Sequence, residues 1–293
     1  MQVIENGQFR VEINEFGAEL TSMKSKKDGT EYVWKGDPAA WKRHAPILFP
    51  IVGRLKDKSY TVGGKKYEIT QHGFARDLPF EAVKLSDTAV EFVLKPSEYT
   101  KNMYPFDFVF TVRYTLDGAM LKKEHITSNP GAEDLYYEVG GHDAYALCLC
   151  SGESITDYFV EFEGTEALHP VLTDENVFLS QDHGELPLQN GCLPITRHTF
   201  QDDAMIFDDL PVRRASIGCV KNSKRVTMDF SDFPYFALWS PYKDFDVPFV
   251  CLEPWSTLPD GGYLDYALEH KVGVRVLQPG AEETLTYTVT IVD

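Results

Sequence analysis

A glutamate stands directly after an apolar run near the end of the chain, in the segment Val-Cys-Leu-Glu-Pro-Trp at residues 250–255. Glutamate is rarely fully buried unless it is paired or functional. Burial disfavours the charged form and raises the pKa of a carboxyl group towards the range that suits a general base. The segment therefore predicts either a base at Glu253 or an ion-paired residue at the end of a strand.

Two histidines lie beside glycines, in Gln-His-Gly-Phe-Ala-Arg at residues 71–76 and in Gly-Gly-His at residues 140–142. A neighbouring glycine lets the backbone come close to a ligand, and an imidazole takes up or releases a proton near neutral pH. Arg76 adds a fixed positive charge four residues after His72. His72 and His142 are thus candidates for binding or acid–base chemistry, although a structural histidine also fits either pattern.

Arg54 lies at the end of an apolar run, residues 44–55, that two prolines interrupt. Its planar guanidinium group suits either a solvated strand end or a donor of several hydrogen bonds into a cleft. An acidic pair, Asp202 and Asp203, precedes a second apolar run. These carboxylates suit a helix cap, a turn or an acceptor for ligand hydroxyl groups, and we expect Asp202 to serve in a turn.

Antiparallel strands are the elements that must position these side chains. Alternating apolar and polar residues predict strands at residues 8–13, 30–34, 60–62, 66–69, 89–94, 108–116, 120–127, 135–139, 158–162, 216–220, 225–230, 237–239, 249–252, 272–277 and 284–291. Helical turns are expected only at 38–42 and 97–103. Residues 168–199 are predicted to form a long excursion, which is a connecting segment that crosses one face of the fold. The pattern predicts an all-β fold, a large antiparallel β-sandwich with few short helices, in a single domain spanning residues 1–293.

The charge and cysteine content restrict the partners and the compartment. The chain has 28 Lys and Arg against 45 Asp and Glu, a formal net charge of −17, which disfavours nucleic acid and anionic membranes as partners. Its five cysteines are odd in number and lack metal-ligand spacing, so they read as reduced, buried thiols. With no signal peptide and no apolar run of about 18–20 residues, we expect a soluble cytoplasmic protein; the oligomeric state stays open.

Taken together, the candidate segments resemble the aldose 1-epimerase superfamily, and within it the branch that is LacX-like or related to galactose mutarotase. The resemblance rests on residues 44–54, 71–76, 140–142, 200–207 and 251–255, which match in order and approximate spacing. It covers nearly the whole chain. It implies the large antiparallel supersandwich and an isomerase of carbohydrate metabolism that interconverts the α and β anomers of a hexose.

The resemblance also implies a role for each candidate residue. Glu253 is expected to be the general base that takes the proton from the C1 hydroxyl, and His142 the general acid that protonates the ring oxygen. His72 and Arg54 are expected to hold ring hydroxyls and stabilise charge in the transition state. Asp203 is expected to accept a hydrogen bond from a sugar hydroxyl.

Ring opening requires removal of a proton at one oxygen and its delivery at another, which a histidine–carboxylate pair can supply near neutral pH. We therefore expect no cofactor and no metal ion. The sequence departs from the family pattern at Asp143, where members often have proline after Gly-Gly-His, and we expect this change to affect the pKa or the orientation of His142. The segment after Glu253 also varies within the branch and is expected to shape the rim of the site.

Arg76 supports a separate hypothesis about the substrate. The segment at residues 71–76 also resembles the hexose-6-phosphate mutarotase branch, which implies that Arg54 and Arg76 clamp an anion. A guanidinium group binds phosphate well through two parallel hydrogen bonds. The expected partner is therefore a small sugar or a sugar phosphate, with a preference for the phosphorylated form.

Three other functions remain compatible with the sequence. A carbohydrate-binding sandwich without catalysis accounts for the fold and the aromatic residues. A glycoside hydrolase needs two carboxylates about 5–10 Å apart, which Asp203 and Glu253 could supply. A metal enzyme could use His72, His142 and Glu253 as three ligands on one side of the ion.

Overall fold

The structure is a computed structural model that describes residues 1–174 and 178–293. Strands make up 46% of it and helices 6%. In the first half of the chain the strands are β1 (Gln2–Glu5), β2 (Phe9–Asn14), β3 (Glu19–Ser25), β4 (Ile47–Leu48), β5 (Ser59–Val62), β6 (Lys65–Glu68), β7 (Glu81–Lys84), β8 (Ala89–Leu94), β9 (Val109–Asp117), β10 (Met120–Ser128), β11 (Leu135–Tyr137), β12 (Gly140–Gly141) and β13 (Asp143–Ala146).

The second half contributes β14 (Tyr158–Glu161), β15 (Ala167–Leu168), β16 (Val171–Thr173), β17 (Leu179–His183), β18 (Leu186–Pro187), β19 (Cys192–Pro194), β20 (Met205–Phe207), β21 (Arg214–Cys219), β22 (Arg225–Asp229), β23 (Tyr235–Trp239), β24 (Phe249–Trp255), β25 (Arg275–Leu277) and β26 (Glu282–Val292). Within the described ranges, the helical elements are α1 (Glu98–Met103) and 3₁₀ turns at Lys56–Lys58, Ala75–Asp77, Ile155–Asp157 and Leu268–His270.

The larger sheet has nine strands in the order β19-β14-β21-β22-β26-β10-β9-β8-β7. Neighbouring strands are antiparallel throughout this order. Its long central strands bury every second residue, as in β9 and β26. This alternation places one face of the sheet against the core, as the sequence pattern predicts.

The second large sheet has eight strands: the order is β17-β16-β20-β23-β24-β12-β4, and β13 also pairs with β24. All seven residues of β24 are buried because both faces of this strand are covered. Val250 and Leu252 point into the main core, whereas Cys251 and Trp255 join smaller clusters on the outer face. Because successive side chains alternate between faces, Glu253 also lies on the outer face.

Aromatic rings fill the core next to the start of the candidate site. Phe49 follows β4 and is stacked on Phe110 of β9, with 4.2 Å between ring centroids and 4° between planes. The contact joins the second large sheet to the first, and both rings are fully buried. Burial of apolar surface at about 25 cal/mol per Å² makes such rings a major source of stability. The two large sheets packed on this core confirm the predicted β-sandwich.

Two of the predicted local elements differ from the structure. Residues 30–34 form only isolated bridges in the described chain, because the Glu31 carboxylate accepts the amides of Met23 and Val33 in place of a regular ladder. Residues 38–42 form a turn rather than a helix. The predicted helix at 97–103 is present as α1, and Ser97 and Thr100 form a capping box at its start.

The predicted excursion at residues 168–199 contains short strands, among them β16 and β17 at the edge of the second large sheet. Residues 175–177 of this segment lie outside the described residues. Thr173, at the end of β16, reaches the cleft described below. The excursion therefore supplies part of the wall of that cleft.

Candidate active site

His142 and Glu253 lie opposite each other on paired strands. The antiparallel register pairs Gly140 with Trp255 and Asp143 with Leu252, so His142, between β12 and β13, faces Glu253 of β24. His142 Nε2 is 3.3 Å from Glu253 Oε2. The exposed fraction is 7% for His142 and 1% for Glu253. The sheet register therefore fixes an imidazole and a carboxylate in contact in a largely dehydrated position.

A cleft of about 240 Å³ opens over this pair on the outer face of the sheet. It is lined by all six residues singled out from the sequence, which are Arg54, His72, Arg76, His142, Asp203 and Glu253, together with Trp41, Gly53, Gln71, Thr173, Ala204, Ile206, Trp239, Trp255 and Pro259. The volume is below the range of about 300–1,000 Å³ that is usual for drug-sized ligands. The cleft therefore suits a small ligand.

The environment shifts the pKa values of the central pair in opposite directions. Burial raises the pKa of Glu253 well above its usual value, with further contributions from Asp203 and Asp143. Burial, followed by the charge of Arg76, lowers the pKa of His142 to about 3. Groups in such close contact titrate as a unit, so between these two pKa values the pair holds one proton in common.

His72 is held by the loop that precedes Arg54. Its Nδ1 accepts the Gly53 amide at 3.0 Å, and its own amide donates to the Gly53 carbonyl at 3.0 Å. Burial, and then the charge of Arg76, lower the pKa of His72 well below its usual value, so the ring is neutral. A neutral ring that accepts at Nδ1 carries its proton on Nε2, which makes Nε2 a donor that lies 3.1 Å from the Gln71 side-chain amide.

Arg54 and Asp203 form an ion pair on the wall of the cleft, with Arg54 Nη2 3.0 Å from Asp203 Oδ2. The other oxygen of Asp203 accepts the Trp239 indole N–H at 2.8 Å. Asp203 has a backbone φ of +78°, a conformation that Asp tolerates better than most residues. Asp202 is exposed in a turn and does not line the cleft, as expected for the first residue of the acidic pair.

Arg76 lies at the other side of the cleft in the 3₁₀ turn Ala75–Asp77. Its Nη2 donates to the Gln71 carbonyl at 2.5 Å, and its Nε is 3.8 Å from the Asp77 carboxylate. Burial, followed by the charge of Arg43, lowers the pKa of Arg76 to about 10. Arg76 remains cationic at neutral pH. Because it is partly buried beside another cation, Arg43, its positive charge is not fully balanced by nearby carboxylates.

The aldose 1-epimerase family profile matches residues 1–270. The chain belongs to the aldose 1-epimerase family. It is 32% identical to the chromosomal and plasmid forms of protein LacX from Lactococcus lactis subsp. lactis, with 99% of each chain covered. This confirms the resemblance inferred from the sequence segments.

Solved structures agree with the family assignment. The galactose mutarotase related enzyme from Lactobacillus acidophilus is 34% identical, with a TM-score of 0.94 over 100% of this chain and 97% of that one. A galactose mutarotase-like protein from Lactobacillus casei is 31% identical, with a TM-score of 0.90 over 100% of both chains. Both comparisons support the supersandwich fold of the aldose 1-epimerase family for this chain.

Two tryptophans of the aldose 1-epimerase cleft were not singled out from the sequence. Trp41 is stacked on His142, with 5.0 Å between ring centroids and 24° between planes, and Trp239 meets the same ring edge-on at 5.4 Å. The chain is rich in aromatic residues, and nothing in the local sequence separated these two from core residues. Their rings hold the imidazole in place and present flat apolar surfaces to the cleft.

One group of possible metal ligands occurs among the described residues of this family member. His142, Cys251 and Glu253 bring one ligand atom each to within 4.8 Å of one another. Burial, followed by the charge of Glu253, raises the pKa of the Cys251 thiol well above its usual value. Metals bind the thiolate, so this site would bind an ion only with a costly deprotonation. The group also differs from the sequence hypothesis, which used His72 rather than Cys251.

The helices described in residues 1–174 and 178–293 of this aldose 1-epimerase family protein are all too short, or too polar, to cross a membrane.

Proposed function

We propose that the protein is an aldose 1-epimerase that interconverts the α and β anomers of a hexose or a hexose phosphate by general acid–base catalysis. The observation that carries the proposal is the contact between His142 Nε2 and Glu253 Oε2 at 3.3 Å beneath a cleft of about 240 Å³. Family membership supports the same reaction class. Ring opening needs one proton acceptor and one proton donor, and this pair offers both.

In the proposed reaction, the ionised Glu253 takes the proton from the C1 hydroxyl while the protonated His142 delivers a proton to the ring oxygen. The bond between C1 and the ring oxygen breaks, and the C1 carbonyl forms. Rotation about the C1–C2 bond exposes the other face of the aldehyde. Closure by the reverse transfers gives the other anomer and returns the protons to their starting positions.

The shared proton of the pair fits this scheme. Without substrate, burial favours a neutral glutamic acid facing a neutral imidazole. Moving that proton across the 3.3 Å contact produces the carboxylate and the imidazolium that the reaction uses. Both forms contain the same number of protons, so the active form arises without exchange with solvent. Each proton transfer of this kind contributes about 10²–10⁴-fold to the rate.

The remaining polar groups of the cleft are assigned to the sugar hydroxyls. The Nε2–H of His72 and the guanidinium of Arg54 are donors, and Asp203 is an acceptor whose orientation is set by Trp239. Among the described residues, His142 Nδ1 and Glu253 Oε1 are buried without a hydrogen-bond partner. Buried polar atoms that lack a partner are costly, and contact with substrate hydroxyls would satisfy them.

Arg76 is a better candidate than Arg54 for a contact with a sugar phosphate. Asp203 neutralises Arg54 at 3.0 Å, so Arg54 is a weaker candidate for binding a phosphate than the sequence resemblance implied. Arg76 is paired more loosely, because its Nε lies 3.8 Å from the Asp77 carboxylate. The cationic Arg43 is also close to it. We therefore assign any contact with a sugar phosphate chiefly to Arg76.

The proposed reaction is tested by polarimetry, or by NMR exchange between anomers, on freshly dissolved α-glucose, α-galactose and glucose 6-phosphate. Wild-type protein should accelerate equilibration of at least one sugar, and Glu253→Gln should reduce kcat by about 10²–10⁴-fold. Glu91→Gln is a matched control, because Glu91 pairs with Arg113 on the larger sheet, away from the cleft. Comparable turnover of glucose and glucose 6-phosphate would contradict the preference for the phosphorylated sugar.

A carbohydrate-binding protein without catalysis is the second candidate, favoured by the tryptophans that line the cleft. It predicts sugar binding without accelerated anomer exchange, and no effect of Glu253→Gln on any function. A glycoside hydrolase would have to use Asp203, which is paired with Arg54 and bound by Trp239, as its second carboxylate. Release of the aglycone from an aryl glycoside would detect that activity.

A further inference from the structure

A second cluster of charged residues is buried behind the loop that carries Arg54. Lys271 Nζ is 3.0 Å from Glu138 Oε1 and 3.3 Å from Asp260 Oδ1. The three side chains are at most 1% exposed, and none of them lines the cleft. Such ion clusters are expensive to desolvate, and apolar side chains of similar volume often stabilise a fold as well or better. Their presence at this position therefore points to a role other than stability alone.

Each carboxylate of the cluster uses its second oxygen to hold the backbone of the loop. Glu138 Oε2 accepts the Val52 amide at 2.6 Å, and Asp260 Oδ2 accepts the Lys56 amide at 2.9 Å. The loop is thus held on both sides of Arg54, and the Lys271 ammonium joins the two holding groups. An apolar replacement cannot provide this connection.

The backbones of the same residues add two further contacts to the loop. The Glu138 amide donates to the Pro50 carbonyl at 2.9 Å, and the Asp260 amide donates to the Arg54 carbonyl at 3.1 Å. Together with the two side-chain contacts, they fix residues 50–56 at alternate positions along the chain. The loop therefore has little freedom to shift relative to the buried cluster.

Gly53 transmits this placement to His72. It has a φ of +74°, and a Cβ at this position would lie 2.3 Å from Pro259 Cγ, so the loop is packed closely against the segment that carries Asp260. The amide and the carbonyl of Gly53 both bind His72. A shift of the loop would consequently move Arg54 and break the hydrogen bond that selects the Nε2–H tautomer of His72.

We infer that Glu138, Asp260 and Lys271 are positioning residues that set the places of Arg54 and His72 in the cleft through the loop at residues 50–56. The link to sugar binding rests on the proposed function, because that function assigns Arg54 and His72 to the sugar hydroxyls. The effect of the cluster on the loop depends only on hydrogen bonds within the protein and can be measured without substrate.

The first test variant is Glu138→Gln, which has the same shape and leaves the Lys271–Asp260 ion pair in place. A carboxylate has two acceptor oxygens, whereas an amide has one acceptor and one donor. The new amide oxygen can therefore accept from the Val52 amide or lie against the Lys271 ammonium, but the side chain no longer offers one oxygen to each. A second variant, Lys271→Met combined with Glu138→Gln, removes the connection altogether while the net charge of the cluster stays at −1.

Three readouts separate positioning from general stability. Hydrogen exchange of the Val52 and Lys56 amides should become at least about tenfold faster in the variants, as expected for loss of one hydrogen bond. The ¹⁵N spectrum of the His72 ring should show loss of the single Nε2–H tautomer. The KM for the sugar should rise about tenfold with little change in kcat, because His142 and Glu253 are held by other strands.

Met228→Ala is the control, because Met228 is fully buried on β22 of the other large sheet. It should lower the melting temperature without changing the KM or the His72 spectrum. The inference is overturned if Glu138→Gln folds with wild-type exchange rates, a wild-type His72 spectrum and a wild-type KM. If the wild-type protein lacks mutarotase activity, the exchange and ¹⁵N measurements still decide whether the cluster positions the loop.

Discussion

Lys123 Nζ donates to Asp143 Oδ1 at 2.7 Å, and this buried ion pair joins β10 of one large sheet to β13 of the other. The hydroxyls of Tyr145 and Tyr287 also donate to Asp143, each at 3.1 Å to the nearer oxygen. Alternation along the strand directs Asp143 into the core and His142 into the cleft. The departure from the family pattern at Asp143 is therefore accommodated behind the imidazole, where Lys123 balances its charge.

Removing one partner of this pair should be far more damaging than removing both. Lys123→Met leaves an unpaired carboxylate in the core and should lower the free energy of unfolding by about 3–5 kcal/mol. Adding Asp143→Asn should recover most of that loss, because the amide oxygen still accepts from the tyrosine hydroxyls. Urea denaturation of both variants provides the measurement. A single variant as stable as the wild type would show that the core accommodates the charge in some other way.

Glu253→Gln should stabilise the fold in a pH-dependent manner. Folding raises the pKa of Glu253 above 4.5, so the folded state holds this proton more tightly than the unfolded chain. The wild type therefore loses stability as pH rises from the unfolded-state pKa through the folded-state pKa, whereas the glutamine variant has no such group. Asp203, Asp143, Arg76 and His142 are the titratable and charged groups around residue 253, and the substitution leaves all four in place.

The melting temperature of Glu253→Gln should accordingly exceed that of the wild type at pH 7 and approach it near pH 4. Thermal unfolding across this range measures the difference, and Glu91→Gln serves as the control without a buried carboxyl. A constant difference at all pH values would mean that the pKa of Glu253 is the same in the folded and unfolded states.

Arg76→Met should discriminate between free and phosphorylated sugars. Hydrogen bonds to charged groups contribute about 1.5–3 kcal/mol, so KM for glucose 6-phosphate should rise by about 10–150-fold while KM for glucose changes little. Arg54→Met should raise KM for both sugars, because Arg54 is paired with Asp203 and is assigned to ring hydroxyls. Equal effects of Arg76→Met on the two sugars would remove Arg76 as a phosphate contact.

Trp41→Leu should weaken the site more than Trp41→Phe does. The indole of Trp41 is stacked on His142 at 5.0 Å, and aromatic pairs contribute about 0.5–1.5 kcal/mol beyond the area that they bury. A roughly twofold to tenfold loss of kcat/KM is expected for leucine, with part of it recovered by phenylalanine. Steady-state kinetics on the best sugar measures this ratio, and identical values for the two variants would exclude a role for ring stacking.

The sequence predicted the fold class, and its six candidate site residues are among the fifteen that line the cleft, because apolar periodicity and short family segments are local properties of the chain. The resemblance implied that His142 and Glu253 act together on one sugar, but their direct contact could not be read from the sequence, since it depends on the register between strands distant in sequence. Trp41 was missed for a similar reason. Its contact with His142 depends on the turn at residues 38–42, where a helix was expected.

Sequence patterns did not predict which charged residues are buried. Charged side chains are almost never fully buried without a partner. In the sequence, therefore, nothing distinguishes Lys123, Glu138 and Lys271 from ordinary surface residues. Their partners come from other strands and loops. Only the folded structure brings these charges together, and it shows that polar contacts anchor the segments on either side of the cleft.

Glu253 and His142 are held by paired strands of a sheet, whereas Asp203 and Arg76 lie on connecting segments. Connecting segments vary among homologues and tolerate change more readily than sheet strands. Under the proposed function, a redesign of sugar preference can therefore be confined to the segments around residues 76 and 203, with His142 and Glu253 left unchanged. In evolutionary terms, changes confined to these connecting segments would adapt the proposed reaction to new substrates while the sheet stays the same.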